Sequence, residues 1–177
     1  SVAVYADYQP TLNRACELAH ILGEASLRDR LIAYPAIAQN PSLLSCEIAG
    51  RFFMDAFLAQ LLEETEWERR EHAAVLWQAL QIGVNLLHLP FRFELSHRLH
   101  EERRHGYLSV NDINKLTNTI WEDYFADTVR GSDQYVWAAK LHFYLPREPH
   151  YDWQYTAAYL IAAVLRRRLL ADGCTAC

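Results

Sequence analysis

Cys16, Glu17 and His20 stand in the run Thr11-Leu12-Asn13-Arg14-Ala15-Cys16-Glu17-Leu18-Ala19-His20-Ile21-Leu22-Gly23-Glu24, which reads as helical. Their spacing is that of a metal-binding helix with one substitution. In H-E-x-x-H, histidines four residues apart reach one metal from one helix face, and the glutamate acts as general base for the metal-bound water. Here C-E-L-A-H keeps the base, Glu17, and the second ligand, His20, but puts cysteine first. Thiolate binds zinc at about 2.3 Å from a sulfur one bond beyond Cβ, whereas an imidazole Nε2 stands further out and binds at about 2.0–2.1 Å. Cys16 therefore replaces a histidine only if metal or helix shifts by roughly 2 Å. Taken alone, the five-residue pattern also arises on an ordinary amphipathic helix.

A second carboxylate, Glu47, lies among apolar neighbours in Leu44-Ser45-Cys46-Glu47-Ile48-Ala49-Gly50. Burying a carboxylate is costly unless it is paired, hydrogen-bonded or metal-bound, so Glu47 needs a partner.

The elements that must position these groups are mostly helical. Val2-Ala3-Val4-Tyr5 is the one strand candidate. Thr11 is a helix N-cap, and the first helix is expected to stop near Gly23 or Ala25. A connector with a short helical turn follows. Asn40-Pro41 then opens a second helix that carries Leu44, Ile48, Phe52, Leu58 and Leu61 at helical spacing and ends near Thr65. Residues 66–105 read as one long helix kinked at Pro90 or as a pair, stopped by Gly106. In this segment His97, His100 and His105 sit among charges and read as a solvated face. Ser109 caps a helix through Tyr124, and Ser132 a further one through about Leu141. Tyr151, Tyr155 and Tyr159 fall at i, i+4 and i+8, either a core stripe or a row of phenols lining a cleft. An apolar helix then runs on to Leu170, with Gly173 its stop.

The chain has 177 residues, 51% apolar and 22% charged, with a net charge of −5 of mixed distribution. These values suit one globular domain over residues 1–177 and indicate no nucleic-acid surface. No uninterrupted apolar run reaches the roughly 20 residues that span a bilayer, and no signal peptide is evident at the start, so the expected location is cytoplasmic with no membrane partner. The four cysteines form no disulfide framework. Cys16 and Cys46, near His20 and Glu47, could build a softer metal or redox site. Cys174 and Cys177 make a lone terminal C-x-x-C, read as incidental.

With these features in order, the chain resembles the catalytic core of the oligoendopeptidase F and thimet oligopeptidase family of zinc peptidases. The likeness is to a strand before the H-E-x-x-H helix, to a glutamate helix of pattern E-[IV]-A-S at Glu47-Ile48-Ala49-Gly50, and to a long helix followed by Gly106-Tyr107-Leu108-Ser109. The fullest match is His142-Phe143-Tyr144 and Pro149-His150-Tyr151-Asp152-Trp153-Gln154-Tyr155-Thr156-Ala157-Ala158-Tyr159-Leu160, similar to H-F-Y…P-F-Y-N-F-Q-Y-T-x-G-Y-L. The resemblance implies a mainly α, zincin-like core with at most one or two short strands, and zinc-dependent hydrolysis of short peptides. It implies Cys16, His20 and Glu47 as the metal set, Glu17 as general base, and His142 with Tyr151 or Tyr155 as donors to the developing oxyanion. Two departures accompany Cys16. Met54, beside Asp55, stands where the family has a further carboxylate, and the helical region that walls the family's substrate channel is not present. The implied alternative is a pseudopeptidase that binds a peptide or partner protein through the former cleft, with a second copy or another chain completing it.

Overall fold

Thr11 has extended backbone, and its side chain accepts a hydrogen bond from the Arg14 N–H at 3.3 Å, so the first helix, α1 (Leu12–Leu31), starts where the sequence predicts. The computed structural model describes residues 2–7, 9–63, 68–145 and 150–173. Helix α1 does not stop at Gly23. It continues to Leu31 because Gly23 is a contact residue, buried against the next helix, α2 (Leu43–Glu63). A Cβ at Gly23 would lie 2.5 Å from the Ala49 carbonyl oxygen and 2.9 Å from Phe53 Cβ. Glycine costs a helix interior about 1 kcal/mol relative to alanine. In return it lets the two backbones approach.

Helix α2 begins after Ser42, whose hydroxyl accepts from the Ser45 N–H at 3.2 Å, so the cap is Ser42 rather than Asn40. Its expected end at Thr65 lies outside the described residues, as do Cys174 and Cys177. A short 3-10 turn, Ala36–Gln39, fills the connector as expected. The Val2–Tyr5 strand does not form, and there is no strand among the described residues. An extended run needs a neighbour to complete its hydrogen-bond ladder.

Helix α3 (Glu68–Gly83) passes through a π-helical segment, Val84–His88, into α4 (Leu89–His105). Pro90 lacks a backbone N–H, and its ring crowds the preceding turn. The wider π turn immediately before it accommodates both defects. By length and composition alone, Ala74–His105 is long and apolar enough to cross a membrane, with a mean hydropathy of 1.2 over its most apolar window. Averaging over a window finds this segment where counting uninterrupted apolar residues does not. Helix α5 (Val110–Phe125) opens on a capping box between Ser109 and Asp112. Ser132 caps nothing: its hydroxyl donates to Asn118 Oδ1 at 2.6 Å, and only a short α6 (Val136–Ala139) and a 3-10 turn, Leu141–Tyr144, follow. Helix α7 (Trp153–Ala171) ends just before Gly173, whose φ of +73° suits glycine.

The chain forms two compact units, one made of the residues through Gln78 and those from Ala157 on, the other of Ala79–Thr156. In the first, α1 packs along α2, and Cys16, Met54 and Leu58 form the core with Leu12, Phe57 and Trp77 around them. In the second, Phe91, Leu95, Ile120, Phe125 and Val136 form the core. Phe91 meets Trp121 edge-on at 5.3 Å, and Trp121 lies 4.3 Å from Phe125.

Candidate metal centre

His20 reaches from α1 across the seam to α2. Its Nε2 lies 3.1 Å from Glu24 Oε1, one turn further along α1, and 3.4 Å from Glu47 Oε2 on α2. One nitrogen and two carboxylate donors thus stand within 4.8 Å of one another. Ligands about 2.1 Å from a tetrahedral ion are themselves about 3.4 Å apart, so this spacing fits a small divalent cation. Without an ion, the same arrangement places the His20 ring between two carboxylates. The Glu47 side chain is 11% exposed, and His20 supplies the partner that the sequence demanded. Gly50 completes the pocket: a Cβ there would fall 2.5 Å from His20 Nε2.

Two residues of the motif face elsewhere. Cys16 is completely buried in the first unit's core, and burial, with the Asp55 and Glu17 charges adding to it, pushes its thiol up to about 11. In the metal-free protein at neutral pH it is a protonated thiol packed against Met54 and Leu58, and it does not join the His20, Glu24 and Glu47 donors. Glu17 is exposed. It accepts from Asn13 Nδ2 at 2.7 Å and pairs with Arg14 at 2.5 Å, and the Arg14 hydrogen bond chiefly lowers its pKa. A carboxylate held in this way is a weaker base than a free one. The donor set of the sequence reading is therefore displaced by one turn, from positions 16 and 20 to positions 20 and 24.

Cys46 does not join this set. It is a free buried thiol that accepts a hydrogen bond from Arg28 Nη2 at 3.3 Å; burial raises its pKa, with the Arg28 charge acting in the opposite direction. Met54 packs beside Cys16 in the core. Burial raises the Asp55 carboxyl, against the pull of Arg51 and Arg166. Arg51 in turn lies over the Tyr159 ring at 5.8 Å, so this third tyrosine serves the packing of α2 with α7.

The remaining predicted residues, His142, Tyr151 and Tyr155, belong to the second unit and come together there. The His142 and Tyr151 rings lie 5.1 Å apart, and Tyr155 Oη donates to Tyr151 Oη at 3.1 Å. Burial, and then the Arg92 charge, lowers the His142 pKa and favours the neutral ring. Close by in the same unit is a buried ion pair that the sequence reading missed, Arg92 with Asp152 at 2.8 Å, aligned outside hydrogen-bond geometry. Burial raises the Asp152 carboxyl and lowers the Arg92 guanidinium, and each charge opposes the other's shift. Nothing in the local pattern links positions 92 and 152. Glu24, also missed, had a signal: it lies four residues after His20 and so on the same helix face.

Compared with protein-family models, with curated proteins and with solved structures, the chain matches none.

Proposed function

We propose that this chain is a pseudopeptidase core of the oligoendopeptidase F type, which holds a divalent metal without hydrolysing peptides and binds a peptide through its histidine and tyrosine groups. The observation that carries the reading is His20 Nε2 standing between Glu24 and Glu47 at ligand spacing. His20, Glu24 and Glu47 would hold the ion, with zinc suited to one imidazole and two carboxylates. When bound, zinc would supply a cross-link between α1 and α2 and a Lewis-acidic centre.

Against hydrolysis stand the buried protonated thiol at Cys16 and the outward pairing of Glu17 with Arg14. The first unit thereby lacks both a second imidazole and a free base at the expected place. In the second unit, Tyr151 and His142 offer a phenol and a neutral imidazole, which suit the amide groups of a peptide.

The test is elemental mass spectrometry of the purified chain beside His20→Gln and Glu24→Gln, with turnover of a quenched peptide measured on the same samples. About one equivalent of zinc at this site, lost in both variants and accompanied by no turnover, is the expected result. Turnover that disappears in Glu17→Gln would make the chain a working peptidase and overturn the reading. Zinc content unaltered by either variant would remove the α1–α2 centre.

A further inference from the structure

We propose that His97, His100 and His150 form a second metal site, within the Ala79–Thr156 unit, for a divalent ion that prefers imidazole, zinc first among them. The site shares no residue with the α1–α2 donors and does not rest on the pseudopeptidase reading.

His97 and His100 lie one turn apart on α4, and the chain brings His150 against both. The ring centroids are 5.5 Å apart for His97 and His150 and 5.4 Å for His100 and His150. Imidazoles bound at about 2.0–2.1 Å to one tetrahedral ion place their centroids about 5.2 Å apart, so the His150 ring already stands near that separation from each of the other two. Their nitrogens do not yet converge; with His100 held on the Ser96 carbonyl, rotation of the His97 and His150 rings about their side-chain bonds would complete the site.

Each ring also has a nitrogen to give. His100 Nδ1 donates to the Ser96 carbonyl oxygen at 2.7 Å, which fixes the tautomer and leaves the Nε2 lone pair free. His97 Nε2 faces Glu101 Oε1 at 3.5 Å, which leaves Nδ1 as the donor toward a metal. A ligand histidine characteristically turns its other nitrogen to a carbonyl or carboxylate, as these two do. His150 Nδ1 is buried with no hydrogen-bond partner among the described residues. An unpartnered buried nitrogen is costly, and an ion would satisfy it. The backbone at His150 is strained as well, with φ at +59°, a conformation retained where the surroundings or a ligand require it. Phe93 closes one side, 5.3 Å from the His150 ring, while His97 and His100 stay exposed, so an ion can enter from solvent.

Zinc is titrated calorimetrically into the full chain carrying His20→Gln, which silences the α1–α2 donors. One zinc per chain is expected, with affinity falling at least about tenfold in His100→Gln and in His150→Asn, since loss of even a supporting group costs that much. Asparagine tolerates positive φ, so the turn survives in His150→Asn, and His100→Gln alters only an exposed position. His105→Gln, on the same helix but outside the cluster, should leave binding unchanged. No zinc bound by the His20→Gln chain would overturn the proposal. So would affinity that survives both cluster variants, or that falls as far with His105→Gln as with His100→Gln.

Discussion

At the scale of single residues, Gly50 and Cys16 define what the first unit can do. A Cβ at Gly50 would stand 2.5 Å from His20 Nε2, so Gly50→Ala must displace the imidazole. It should abolish zinc loading at the α1–α2 site and lower stability by about 1–3 kcal/mol, the range for overpacking, read by elemental analysis and by urea unfolding. Cys16 makes a prediction at high pH. Its folded pKa of about 11 lies above the ordinary value of 9.0, so between these two values the unfolded chain releases a proton that the folded chain keeps. Stability should therefore fall as pH rises from 9 to 11, and the slope should be shallower in Cys16→Ala, measured by urea midpoints across that window. Glu17, His20 and the need of Glu47 for a partner were legible in the sequence. The burial of Cys16 was not, because one cysteine has the same spacing whether its side chain turns to a metal or to Met54 and Leu58.

The elements were legible where local chemistry sets them. Thr11, Ser109 and Gly106 mark boundaries that the structure keeps, because caps and positive φ act over a few residues. Gly23 misled because a glycine that stops a helix and a glycine that admits a neighbouring helix look alike in one dimension. Asn40 misled because Ser42 offers an equally good cap two residues later. At the start of α5, Ser109→Ala should cost about 1 kcal/mol in thermal or urea unfolding, the usual worth of an N-cap. The Ser109 hydroxyl and backbone N–H hold the Asp112 carboxyl below its ordinary range. Acid should therefore remove this contribution as pH drops through the folded-state pKa, and Ser109→Ala should lose less stability on acidification than the parent chain. Pro90 was legible as an interruption, but the π segment Val84–His88 was not, since the sequence names the missing donor and leaves open how the turns before it respond.

At the scale of the whole molecule, metal binding should act on each unit separately. Zinc in the His100→Gln chain should slow amide exchange in α1 and α2 while leaving α5 unchanged, and His20→Gln should erase that protection; exchange read by mass spectrometry decides it. The exposed side chains Leu160, Ile161, Val164 and Leu165 on α7 add an expectation of association. Light scattering should show species larger than one chain, and a monodisperse monomer would count against a second copy or partner. The mainly helical class followed from periodicity alone. The division into two units did not, because its boundaries at Gln78 and Thr156 fall inside helices, where sequence carries no punctuation.

The close approach of α1 and α2 at Gly23 and Gly50 also bears on which ion the α1–α2 donors would accept. Where side chains separate two helices, the gap can widen as rotamers change; here the Ala49 carbonyl lies against Gly23 and the His20 ring against Gly50, so little can yield. Calcium needs bonds of about 2.3–2.6 Å and six to eight oxygens, against about 2.0–2.2 Å and four ligands for zinc. A seam held at backbone distance should act as a size gauge, so that zinc binds the α1–α2 donors more tightly than calcium does.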